Sequence, residues 1–176
     1  NITDLKPYFD TTKYLTPHSD IVALLVLDHA VRMHDLIAHA SYETRIAQHN
    51  RQEAASSGGK VTDWSKQRIA TAGEMLVAYM LFRDEAALKG LVRGTSGFTE
   101  DFEKDGPWDS KHRSLRQFDL HKRMFKYPCS YLIYSEAFDA LPQEMKDFIW
   151  MRLGQVLSGQ DRSKYYATMS DSDMVA

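Results

Sequence analysis

Hydrophobic residues recur along this chain at a helical spacing, with no stretch of the two-residue alternation that marks a half-buried strand. Ser19-Asp20 supplies a helix N-cap. From there Val22, Leu25, Val26, His29, Met33, Leu36, Ile37 and Ala40 fall within about 120° of a helical wheel. Leu24, Leu27 and Val31 form a second apolar arc, and Asp28, Arg32, Asp35 and His39 a polar strip. A helix apolar on two sides is expected to be central, packed between neighbours, and to run to about Ala55, where Ser56-Ser57-Gly58-Gly59 breaks it. A second helix is expected from the Thr62/Asp63 cap to about Lys89, carrying Ile69, Ala72, Leu76, Tyr79, Met80 and Ala87, with Gly90 and Gly94 stopping it. The short Gly-containing link makes these two long helices an antiparallel hairpin.

Around this pair the pattern is less regular. Residues 1–18 hold Pro7, Pro17 and scattered aromatics, and read as an extended N-terminal strap. Residues 94–113 are rich in Gly, Asp and Ser without a steady period, and read as an irregular loop with one helical turn around Thr99 to Lys104. Pro128 interrupts the mixed stretch 114–127, and Cys129 to Leu141 reads as a short buried helix. Pro142 opens a further helix with Met145, Phe148, Ile149, Leu153, Val156 and Leu157 inward, ended by Ser158-Gly159. The expectation is an all-α fold: two long antiparallel helices and two or more shorter C-terminal ones, forming a single helical domain over 19–169. Ser170-Asp171-Ser172-Asp173 reads as an N-cap with three residues after it, so 170–176 is expected to be a tail or the start of a truncated helix. Together with an opening residue that is not Met, this reads as a fragment of something longer.

Composition narrows the classes. The 176 residues are 43% hydrophobic and 26% charged with a net charge of −2, which suits one soluble globular domain and not a disordered chain. The near-neutral balance excludes a nucleic-acid protein held by phosphate contacts. The longest uncharged apolar run, Ile21 to Leu27, is far short of the ~20 residues of a membrane span. A single cysteine, Cys129, excludes a disulfide framework, a multi-thiolate metal site and a Cys-x-x-Cys-His haem attachment within these residues. The opening Asn1-Ile2-Thr3-Asp4 has none of the features of a secretory signal.

Metal-capable side chains concentrate on the first long helix: His18, Asp28, His29, Met33, His34 and His39. His29 and Met33, four residues apart, stack on one face and suit two ligands from one helix, with imidazole and thioether favouring haem iron or copper. His34 lies about 140° round from His29 and cannot join that sphere from an intact helix, while His18, beyond the cap, can fold back. The alternative for His29 is a core histidine bonded to a carboxylate or carbonyl. Zincin spacing is absent. Cys129 reads as a buried, inert thiol, and Ser96 in Gly94-Thr95-Ser96-Gly97 lacks the nucleophile-elbow pattern. Glu100/Asp101 and Glu103/Asp105 read as loop solvation, and Lys111-His112-Arg113 with Arg116, Lys122-Arg123 and Lys126 as either a solvated face or a dock for an acidic partner or a haem propionate. No catalytic constellation stands out, which leans against an enzyme.

Three stretches carry a resemblance: NITDLKPYFDTTKYLTPHSDIVALLVLDHAVRMHDLI at 1–37, GTSGFTEDF at 94–102, and RSLRQFDLHKRMFKYPCSYLIYSEAFDALP at 113–142. Together they resemble the C-terminal part of a family of exported bacterial cytochrome-c-like proteins of uncharacterised function. The resemblance implies covalent haem c carried by a segment outside this chain, an extracytoplasmic (periplasmic or secreted) location, and a role related to electron transfer. It draws attention to His18, Ser19, Asp20, His29, Met33 and His34 as residues near a haem if the domain touches one. Two functions follow as expectations: a haem-associated helical domain whose partner is another protein segment or a cytochrome, and a structural or protein-interaction module within a larger assembly.

Overall fold

The computed structural model describes residues 2–58, 63–83, 85–163 and 166. The stretch 170–176, read as a truncated helix or tail, lies outside the described residues. Among those described the protein is all-α. It has five α-helices and one 3-10 turn, and its only β pairing is two isolated bridges, Asp4 with His18 and Phe118 with Phe125. No helix among the described residues is long and apolar enough to cross a membrane.

Helix α1 (Ile21–Ser56) runs 36 residues without interruption. Its inner face is the wide arc expected from the sequence: Val22, Val26, His29, Met33, Leu36, Ile37 and Ala40 are buried, and the row continues through Thr44 and Ala47. Thr44 is accommodated there because its hydroxyl donates to the Ala40 carbonyl one turn back, at 2.7 Å. The chain forms two compact units, residues 1–30 with 85–127 and residues 31–84 with 128–176, and α1 contributes to both.

In the first unit the N-terminal segment closes on itself. The Leu5 N–H donates to the Pro17 carbonyl at 2.9 Å and Ser19 to Thr3 at 3.1 Å, so the segment's two ends meet beside the start of α1. Helix α3 (Phe98–Lys104) is the turn expected within the irregular loop. Its Phe102 sits in a stack with Phe98, Phe118 and Phe125, ring centroids 5.3 to 6.1 Å away. Such offset and tilted pairs add about 0.5–1.5 kcal/mol each beyond burial. Phe118 and Phe125 come together because 117–126 folds as a tight hairpin: Asp119 donates to Met124 at 3.0 Å and Lys126 to Gln117 at 2.8 Å.

In the second unit, helix α2 (Trp64–Met80) is shorter than the pattern suggests. It ends nine residues before Lys89, where the Met80 carbonyl accepts the Ser130 N–H at 2.8 Å and Phe82 takes a left-handed φ of 54°. The expected continuation 85–89 is a good helix former by composition. It is instead irregular chain, tied to the 117–126 segment by the Leu88 N–H to the Lys122 carbonyl (2.9 Å) and by Glu85, whose carboxylate accepts the Met124 N–H (3.0 Å), so tertiary hydrogen bonding overrides local propensity there. The expected helix from Cys129 to Leu141 is likewise two pieces, a 3-10 turn (Tyr131–Tyr134) and α4 (Glu136–Asp139). Ser135 lies between them in an extended conformation, its hydroxyl accepting from the Phe138 N–H, so a serine cap starts a new helix where continuation was expected.

Helix α5 (Gln143–Leu157) buries Met145, Ile149, Leu153 and Val156 and packs on α2. Gly73 makes that approach possible: a Cβ there would lie 2.4 Å from the Phe148 ring. Beyond α5 the chain is tied back by Arg152. Its guanidinium donates to Glu74 at 2.7 and 3.1 Å and to Asp161 at 2.7 Å, while the Tyr166 hydroxyl donates to Glu74 at 2.6 Å. Arg51 of α1 pairs with Glu144, and Arg68 of α2 with Glu43 at 2.5 Å.

Candidate functional site

The four residues singled out as candidate ligands divide into two pairs. His29 is 4% exposed and Met33 fully buried, one turn apart on the inner face of α1. His18 and His34 are both exposed, His18 at the bridge with Asp4 and His34 on the outer side of α1. The helical geometry that separates His34 from His29 therefore holds. His18 is turned to solvent, with its backbone engaged in the strap's closure.

His29 meets the edge of Phe125, with ring centroids 6.0 Å apart at 65°. Desolvation in this apolar setting pushes its pKa down to about 4, against the smaller opposing pull of the Asp28 charge. The imidazole is therefore neutral at physiological pH. Among the described residues no group of three or more His, Cys, Asp or Glu side chains is placed to hold a metal ion. His29 lies against the edge of Phe125 and Met33 is fully buried, so both side chains are packed in the interior of the chain.

The best-defined polar constellation is built on Asp20, at 6% exposure. Its Oδ1 accepts the N–H groups of Val22 (2.9 Å) and Ala23 (3.1 Å) and caps α1 as the sequence suggests. Its Oδ2 accepts from Thr95 N (2.8 Å), Ser96 N (3.0 Å) and the Ser96 hydroxyl (2.7 Å). Desolvation raises the carboxyl's pKa, and the hydrogen bonds from Ser96, Thr95 and Ala23 outweigh it and bring the pKa to about 2. Gly94 is needed for this approach, since a Cβ there would stand 2.7 Å from the Thr99 hydroxyl and 2.9 Å from Asp20 Oδ2. Ser96, considered as a nucleophile, is thus a donor to a permanent anion and a tie between two distant segments. Nothing in the sequence signals a partnership across 76 positions.

Other candidates are placed as follows. Cys129 is half-buried and desolvation pushes its thiol up to about 12, so it stays protonated. Of the loop acids, Asp101 pairs with Lys104 at 2.9 Å, and Glu103 accepts the Phe118 N–H at 2.7 Å. In the basic run, Arg113 pairs with Asp109 at 2.7 Å, and Arg116 lies over the Phe102 ring and 3.6 Å from Asp105.

The largest departure from expectation is on the outside of α1. Leu24, Leu27 and Val31, expected to be covered by a neighbour, are 54%, 58% and 59% exposed, and Tyr42 further along the same face is 69% exposed. Periodicity reports that a helix has two apolar sides, and not that both are covered in one chain. With Ile21 the patch offers apolar area on the order of 400 Å², the size at which an exposed patch on a monomer commonly marks a functional contact. Comparison with protein-family models, curated proteins and solved structures gives no match.

Proposed function

We propose that this chain is a protein-interaction module that docks a partner helix along the outer face of α1. The observation that carries this reading is the row Leu24, Leu27, Val31 and Tyr42, spaced three to eleven residues apart on one side of an uninterrupted helix and more than half exposed throughout. Asp28 and Asp35 fall within the same sector of the helix, and Asp35 pairs with Arg32 at 3.8 Å, so the fitting partner is an amphipathic helix with apolar residues at i, i+3 or i+4 and i+7 and a cation placed to meet Asp28. The resemblance to exported cytochrome-c-like proteins supports an extracytoplasmic assembly as its setting, with haem c carried on a segment outside this chain.

The test places a photo-crosslinking residue at Val31 and, as a control, at exposed Asp147. A cross-link specific to Val31, mapped by mass spectrometry to an amphipathic helix with such a cation, supports the reading. Equal yields from the two positions overturn it, and a cross-link to a second copy of the chain replaces the partner with self-association. The haem association has its own test, a visible spectrum of the natively purified protein. A Soret band sharpening on reduction supports it, and no absorption above 300 nm removes haem from the preparation.

A further inference from the structure

We infer that the tip of the 118–125 hairpin and the neighbouring segment 88–93 form a docking patch for a short acidic peptide, a surface separate from the α1 face. The Leu88 N–H donates to the Lys122 carbonyl at 2.9 Å and the Val92 N–H to the Leu120 carbonyl at 2.8 Å, which lays the two segments side by side. Lys89, Arg93, His121 and Lys122 flank those hydrogen bonds and are all exposed. Leu91, between the first two, is 55% exposed and gives the patch an apolar centre.

The acids of the same region are engaged with its backbone. Asp119 Oδ1 accepts the N–H groups of His121 (2.9 Å) and Lys122 (3.1 Å), and Glu85 Oε1 accepts that of Met124 (3.0 Å). These bonds aim the two carboxylates at the hairpin backbone, while Lys89, Arg93 and Lys122 extend into solvent as exposed side chains. Leu120 at the tip has a φ of 54° with its side chain buried. A non-glycine residue adopts that left-handed conformation rarely, and such conformations gather at functional loops.

Size favours a peptide over an extended polyanion. The chain's net charge is −2, so a nucleic acid or an anionic bilayer meets repulsion from the surrounding surface. A short peptide samples only the field within about one Debye length, ~8 Å at physiological salt, where the exposed cations Lys89, Arg93 and Lys122 dominate. An acid, an aliphatic residue and a second acid at every second position match the Lys89–Leu91–Arg93 spacing.

The experiment uses a fluorescent Glu/Leu peptide with Glu-Ser-Leu-Ser-Glu as its repeating core, read by anisotropy at low salt, with the Lys/Leu counterpart (Lys-Ser-Leu-Ser-Lys) and phosphatidylglycerol vesicles as the other probes. Saturable binding of the Glu/Leu peptide alone is expected. It should weaken about tenfold or more in Lys89→Ala/Arg93→Ala/Lys122→Ala and fall off at high salt. Lys122→Glu, an exposed single change with an unaltered melting curve, should weaken it as well. Equal binding by wild type and both variants, binding of both peptides alike, or no peptide binding at all overturns the inference, and vesicle binding in its place reassigns the patch to lipid. Any of these failures leaves the α1 reading standing, because no residue is shared.

Discussion

Replacing Asp20 should do more damage than losing a helix cap. Its two oxygens accept five hydrogen bonds, two from the first turn of α1 and three from Thr95 and Ser96. A carboxyl with pKa about 2 in the folded protein and 3.8 unfolded contributes on the order of 2 kcal/mol through linkage alone. Because the folded value is the lower one, that contribution is fully present above pH 3.8 and is lost as pH falls towards 2. Asp20→Asn keeps one acceptor for the helix cap and turns an NH₂ towards the donors of Thr95 and Ser96, so it should cost about 2–3 kcal/mol at pH 7. Asp20→Ala loses the cap as well, for roughly 3–4 kcal/mol. Urea unfolding at pH 7 and at pH 2.5 measures both. The gap between wild type and Asp20→Asn should narrow by more than half at the lower pH. Ser96→Ala should be strongly non-additive with either change, since it removes a donor to the same oxygen. A cost for Asp20→Asn below about 0.5 kcal/mol, or one that does not vary with pH, would refute the assignment of Asp20 as a charged tie.

Two further perturbations isolate separate parts of the fold. His29 has a folded pKa of about 4 against 6.5 unfolded, so the unfolded state binds more protons between those values, and about 3 kcal/mol of stability is lost as pH falls from 6.5 to 4. His29→Leu should remove that slope in urea midpoints, and an unchanged slope would show that the imidazole is solvated. Gly73→Ala should destabilise by roughly 1–3 kcal/mol despite better helix propensity, because its Cβ would overlap the Phe148 ring. Gly154→Ala in α5, with open space around its Cβ, should instead stabilise by about 0.5–1 kcal/mol. Melting temperatures moving in the same direction for the two glycines would contradict the α2–α5 packing described above.

The elements that were legible in the sequence are those whose signal is local. The Asp20 cap, the inner row from Val22 to Ala40, the stop after Ser56 and the inward face of α5 all follow from spacing and capping chemistry within a few residues. What escaped is what distant chain supplies. Residues 85–89 have helical composition and lie outside the helix, where Leu88 donates to the Lys122 carbonyl and Glu85 accepts the Met124 N–H. Ser135 is the exception, a local cap three residues before Phe138 that hydrophobic periodicity alone does not report. The His29–Met33 pair was correctly placed on one face. That His29 meets the Phe125 ring could not be read from local spacing, because Phe125 is 96 positions away.

The same limit governs the functional reading. An apolar arc on a helix states a demand for cover and does not name what provides it. For the arc running through Val22, Val26 and Met33 the chain itself meets the demand, leaving these residues at 5% exposure or less. For Leu24, Leu27 and Val31 it does not. Leaving those three side chains in water forgoes roughly 25 cal/mol for every Å² they expose, on the order of several kcal/mol in all. Val31→Asp tests whether a second surface covers the row. If the row is a docking face, the substitution leaves the melting temperature of the isolated protein within about 2 °C of wild type and abolishes association. A large drop in the melting temperature would show instead that the side chain is already packed within the chain, and the interaction reading would lose its footing.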